Sequence, residues 1–95
     1  MPELRFRVRW PDGATESCYS PSSVVADHLD AGTPYPLAQF LAISRVALAA
    51  ASERVRQKYG FPCSRALGQL ARIEATAATF AHQPDATVVV EGFDL

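Results

Sequence analysis

Leu4-Arg5-Phe6-Arg7-Val8-Arg9-Trp10-Pro11-Asp12-Gly13-Ala14-Thr15-Glu16-Ser17-Cys18 is the stretch on which the reading of the fold turns. Leu4, Phe6, Val8 and Trp10 alternate with Arg5, Arg7 and Arg9, the period of two that sets one strand face in a core and the other in water. Pro11 and Asp12 suit the centre of a type I turn, and Gly13 can take the positive φ of the bulge that follows. The three-residue loop sets Trp10 opposite Ala14, Val8 opposite Glu16 and Phe6 opposite Cys18, so Cys18 faces the core and Glu16 is the misfit. A two-residue loop would turn Cys18 towards the arginines, because one step of register reverses every side chain; Pro-Asp-Gly favours the first register.

Beyond the hairpin, Ser20-Pro21-Ser22-Ser23 supplies capping hydroxyls for one or two helical turns over Val24 to Leu29. Asp30 to Pro36 is dense in turn formers, with Pro36 suited to the first position of a long helix. In that helix Leu37, Leu41, Ser44, Leu48, Ala51, Val55 and Tyr59 recur at spacings of four and three, and Gly60 is the expected terminator. Ala66, Leu70, Ile73, Ala77 and Phe80 mark a second amphipathic helix, antiparallel to the first because so few residues connect them. The small residues Gly68, Ala71, Ala75 and Ala78 are expected to let the two axes approach closely. His82-Gln83-Pro84-Asp85 closes the helix, and Thr87 to Glu91 reads as a last strand by its β-branched run. Residues 1–95 are thus expected to form a single α+β domain, β-β-α-α-α-β. It is a two-layer sandwich in which a hairpin and the C-terminal strand are covered by an antiparallel helical hairpin; whether the last strand joins the first or the second is left open.

Composition narrows the function. With 48% hydrophobic and 20% charged residues the chain is too apolar for disorder and too interrupted for a membrane protein. A net charge of −1 supplies no field for nucleic acid, and nothing near Met1 resembles a secretory signal, so a cytoplasmic protein is expected. Eight of the nine basic residues are arginine and sixteen residues are alanine, a bias that lowers the weight of any single arginine. Arg5, Arg7 and Arg9 project together as a candidate patch for an anion or a partner, although charge on such a face also prevents strand pairing with other chains. Cys63, at the start of the second helix where unpaired N–H groups favour a thiolate, and Cys18 are the candidate reactive thiols. Cys18, His28, Cys63 and His82 contain the donor types of a zinc site but lack its close pairs, so neither a metal nor a cofactor is expected. The five glycines form no phosphate or dinucleotide loop. Between Leu37 and Ala51 only Gln39, Ser44 and Arg45 are polar, and one sheet cannot bury so apolar a helix. A homodimer that covers Ala42, Val46 and Ala49 is the expected remedy, unless alanine is simply left in water.

Five peptides carry a resemblance: Arg7-Val8-Arg9-Trp10-Pro11-Asp12-Gly13, Cys18-Tyr19-Ser20-Pro21-Ser22, Tyr35-Pro36-Leu37, Ala51-Ser52-Glu53-Arg54-Val55, and Lys58-Tyr59-Gly60-Phe61 with Cys63-Ser64. Over nearly its whole length the chain resembles the small bacterial nitrogen starvation response protein family. That resemblance implies a role in scavenging or sensing nitrogen, among genes for nitrilase-type hydrolases, radical-SAM proteins, acetyltransferases and flavoproteins. It assigns no catalytic or binding residue, although Cys18 and Cys63 lie within its peptides. A noncatalytic accessory protein in complex with an enzyme encoded nearby is the expected function. The alternative is a thiol- or metal-dependent protein using Cys63 with Cys18.

Overall fold

The computed structural model describes residues 3–83 and 85–94. The hairpin forms as the turn residues dictate: β1 (Leu4–Arg9) pairs antiparallel with β2 (Thr15–Ser20), Val8 opposite Glu16 and Phe6 opposite Cys18. Gly13 takes φ 87° in the loop, and Asp12 Oδ1 accepts the Ala14 N–H at 2.9 Å. Glu16 is no misfit, because its Oε1 accepts the Trp10 indole N–H at 3.0 Å. That bond lets a buried indole keep its donor satisfied while its ring packs edge-on to Phe40 and stacks with Phe80.

β4 (Thr87–Asp94) runs antiparallel beside β1, which answers the question of strand order, and the sheet reads β2-β1-β4-β3. Arg7 pairs with Gly92 and Val8 with Val90, so Glu91 is an extra residue that bulges the ladder. A Cβ at Gly92 would lie 2.9 Å from Arg7 Nη2, so a larger residue there would displace the end of that side chain.

The one or two helical turns expected after β2 form, and two other local expectations are corrected. The short segment after β2 is a 3-10 helix, Ser23–Asp27, opened by Ser22 Oγ accepting the Val24 N–H at 3.3 Å; five residues are too few for a stable α-helix without help. Pro34–Pro36, expected as a turn, is the edge strand β3, with Tyr35 buried between two exposed prolines. An edge strand tolerates proline because one side of it needs no ladder. Pro36 consequently precedes the helix with ψ 143°, outside its first turn.

Two helices cover the sheet. α1 (Leu37–Tyr59) ends where Gly60 takes φ 89° and its N–H reaches Arg56 O at 2.7 Å. α2 (Ser64–Ala78) follows at once, and the buried Ser52 Oγ accepts the Cys63 N–H at 3.1 Å, fixing the connection. Arg45 ties the helices to each other through Glu74 at 2.9 Å. The small-residue expectation fails, because α2 buries Ala66, Gln69, Ile73 and Ala77 while Ala71, Ala75 and Ala78 face water. A single face serves both the sheet and α1 in this two-layer arrangement, and alanine occupies the wet side as the best helix former. Leu41 and Val55 of the expected α1 stripe are half-buried and Tyr59 is exposed. At about 1.5 Å per residue the 23 residues of α1 outrun a six-residue strand, in a molecule 40 Å along its longest axis. Pro84, within the segment expected to close α2, lies outside the described residues.

Candidate functional site

The face of β1 that carries Arg5, Arg7 and Arg9 is exposed, as the alternation requires. Arg7 donates to both carboxylate oxygens of Asp94, at 2.8 and 2.6 Å, and Arg9 Nε donates to Glu91 Oε2 at 2.8 Å. The bulge at Glu91 and the length of β4 bring both carboxylates there, so two of the three guanidiniums are already matched. Arg5 has no such partner among the described residues and leans instead over the Tyr19 ring, 6.0 Å from its centroid.

The two thiols are free and differ in setting. Cys18 is fully buried opposite Phe6, and burial, reinforced by Glu16, pushes its thiol up to about 12. It is therefore protonated and shut away at neutral pH. Cys63 stands immediately before α2, half-buried, in a depression shared with Tyr19, Val55 and Tyr59. Among the described residues no three His, Cys, Asp or Glu side chains gather as a metal site would require, and His28 and His82 are both exposed.

A pocket of about 360 Å³ opens between the free edge of β2 and the first half of α2. Arg5, Ser17 and Tyr19 line it from the hairpin, and Ser64, Arg65, Gly68, Gln69 and Arg72 from the helix. Arg65 lies over Tyr19, its guanidinium carbon 3.9 Å from the ring centroid. Burial raises the Tyr19 phenol, with Arg65 pulling the other way. Gln69, 2% exposed, sets Oε1 against the Tyr19 N–H at 2.9 Å, so a helix side chain satisfies a donor on the edge strand. The same oxygen accepts from Arg72 Nη2 at 3.2 Å, and Nε2 is left without a partner. Arg65, Gln69 and Arg72 follow one another at spacings of four and three, which is one helix face. That spacing was the available signal, and it is hidden when α2 is read only for its apolar residues.

A different surface runs along the outside of the helical hairpin. Ala42, Val46 and Ala49 are exposed on α1, Val46 at 58%, and Tyr59 and Phe61 are exposed at 59% and 65% around its end. Nothing among the described residues covers them. No helix among the described residues is long and apolar enough to cross a membrane.

The arrangement offers a pocket lined by three guanidiniums and an exposed apolar helix face. No curated protein and no solved structure matches the chain. The model of one family does, described as nitrogen starvation-induced protein NitG, and the match runs over residues 5–93, from the first strand through the last. With the hairpin, both helices and the closing strand inside that match, the chain belongs to the family of nitrogen starvation-induced protein NitG.

Proposed function

We propose that the chain is a noncatalytic accessory protein of nitrogen starvation and nitrogen scavenging that acts by protein–protein contact, with the outer face of α1 as the contact surface. The observation that carries this reading is Val46, 58% exposed between the exposed Ala42 and Ala49 on the side of α1 turned from the sheet. A β-branched side chain in water on an otherwise apolar helix face gains by being covered. The end of the helical hairpin, with Tyr59 and Phe61 exposed, adds to the apolar surface available to a partner. The partner class is an enzyme made under the same starvation, and a second copy of the chain competes for the same face. The thiol alternative has less support, because Cys18 is sealed in the core and Cys63 lines a separate depression, so the two do not face one cavity.

The test compares tagged wild type, Val46→Glu and Cys63→Ser from nitrogen-limited cells, with sedimentation of each purified protein. Wild type and Cys63→Ser should retain the same enzyme partner, and Val46→Glu should lose it while keeping its fold. Retention by Val46→Glu, or loss on Cys63→Ser with folding unchanged, overturns the reading.

A further inference from the structure

The pocket between β2 and α2 lies apart from the contact face of α1, and its chemistry is of another kind. Four arginines of the chain, Arg7, Arg9, Arg45 and Arg56, lie against carboxylates. The three that line this pocket, Arg5, Arg65 and Arg72, have none within 4.0 Å among the described residues. Three guanidiniums thus share one pocket without an ion-pair partner, with the Glu3 carboxylate beside Arg5 and Tyr19 in the adjoining depression; the eighth arginine, Arg54, lies elsewhere. α2 adds to this positive lining: its first turn holds no acidic residue, and Ser64 and Arg65 bring the positive end of its dipole to the pocket wall.

Gln69 gives an independent indication. Its Oε1 is committed to the Tyr19 N–H and to Arg72, two donors, which fixes the amide so that Nε2 is the group left over. Only two buried side-chain polar atoms among the described residues lack a partner, and Nε2 of this pocket residue is one of them. Buried donors are nearly always satisfied, so one left over on a residue of the pocket wall marks a place where the chain's own acceptors run out, just behind the pocket lining. Arg65 is held over the Tyr19 ring, a contact that leaves guanidinium N–H groups free to donate. The hydroxyls of Ser17 and Ser64 complete a polar lining, and about 360 Å³ falls at the small end of ligand pockets.

We infer that this pocket binds a small, doubly charged oxyanion, held by Arg5, Arg65 and Arg72, with Gln69 fixing the Arg72 side of the wall. Three guanidiniums match two negative charges better than one, so a phosphate or a dicarboxylate fits and a single carboxylate fits poorly. The protein then carries a metabolite-sized ligand on one side and its partner face on the other.

The test is a titration of the purified full chain followed by ¹H–¹⁵N NMR, at constant ionic strength, with inorganic phosphate, succinate and acetate as probes. Phosphate or succinate should saturate shifts at the amides of Tyr19, Ser64 and Arg65 and at the Gln69 side-chain NH₂, with acetate at least tenfold weaker; whichever of the two saturates assigns tetrahedral or dicarboxylate chemistry. Arg72→Gln and, as a second variant, Arg5→Gln should each weaken binding about tenfold, while Arg7→Gln and Val46→Glu should leave it unchanged. The inference is overturned if acetate binds as well as the dianions, if shifts are no larger in the pocket than at Arg7 and Arg9, or if the pocket variants bind as wild type does.

Discussion

Arg7 and Arg9 on the open face of the sheet, and Arg5, Arg65 and Arg72 around the neighbouring pocket, are the same residue type in two electrostatic settings. On the sheet face β4 supplies a carboxylate to each guanidinium, and the row is a solvated, neutralised surface. In the pocket the neighbours are a phenol, two serines and an amide, and no carboxylate among the described residues comes within ion-pair distance of the guanidiniums. The difference teaches that an arginine is informative through what stands beside it. In a chain this rich in arginine, that neighbour depends on strand order and helix placement.

The largest effect expected concerns β2, the strand that is pocket wall on one side and core on the other. If its inner side is dry, Cys18 stays protonated in the native protein to about pH 12, whereas the unfolded thiol ionises from about 9. The unfolded state then holds fewer protons than the native state over that window, so stability falls as pH rises. The slope contributed approaches about 1.4 kcal/mol per pH unit. Denaturant melts between pH 8 and 11 should show the fall, and Cys18→Ala should remove this part of it. A wild-type profile that matches Cys18→Ala would mean that water reaches the strand from the pocket side.

Gln69→Leu comes next. It keeps the bulk of the side chain but removes the acceptor for the Tyr19 N–H, and an unsatisfied buried donor costs about 1–3 kcal/mol, offset in part because the unpartnered Nε2 goes too. Urea denaturation should register that loss; an unchanged midpoint would mean that the edge strand is hydrated and the pocket has no fixed wall.

A smaller pair of effects tests the comparison directly, because the two should have opposite signs. Arg7→Glu faces Asp94 with a like charge and should destabilise by about 1 kcal/mol. Arg72→Glu gives the pocket the carboxylate it lacks and should be neutral or stabilise by up to about 1 kcal/mol. Equal losses in both variants would erase the distinction between the two surfaces.

Much of this was legible before any coordinates. Pro11-Asp12-Gly13 and the alternation set the hairpin register down to Cys18, and Gly60 marked the end of α1. β3 was hidden because proline on both sides of Tyr35 reads as a turn, and only an unpaired sheet edge makes it a strand. The neutralisation of Arg7 by Asp94 was hidden for a related reason, since the two lie at opposite ends of the chain and meet only because β4 joins β1. Alanine misled on α2: with sixteen in the chain it marks neither core nor surface, and Ala71 and Ala75 proved to be wet. Arg65, Gln69 and Arg72 were visible as one helix face, but their meaning required β2 alongside.

Gly68 yields the finest test, because it stands in the middle turns of α2 with no positive φ to justify it. A Cβ there would meet only Arg72 Nη1, at 3.9 Å, an ordinary contact. Helix propensity alone then predicts that Gly68→Ala stabilises by about 0.5–1 kcal/mol, since glycine loses more freedom on entering a helix. The glycine nevertheless lines the pocket, and the added methyl group stands beside a guanidinium that the proposed anion must reach. Gain of stability with weaker phosphate or succinate binding would show that room for a ligand, rather than the fold, explains the residue. Gain of stability with binding unchanged would leave Gly68 without a role in the pocket and narrow the site to the arginines and Gln69.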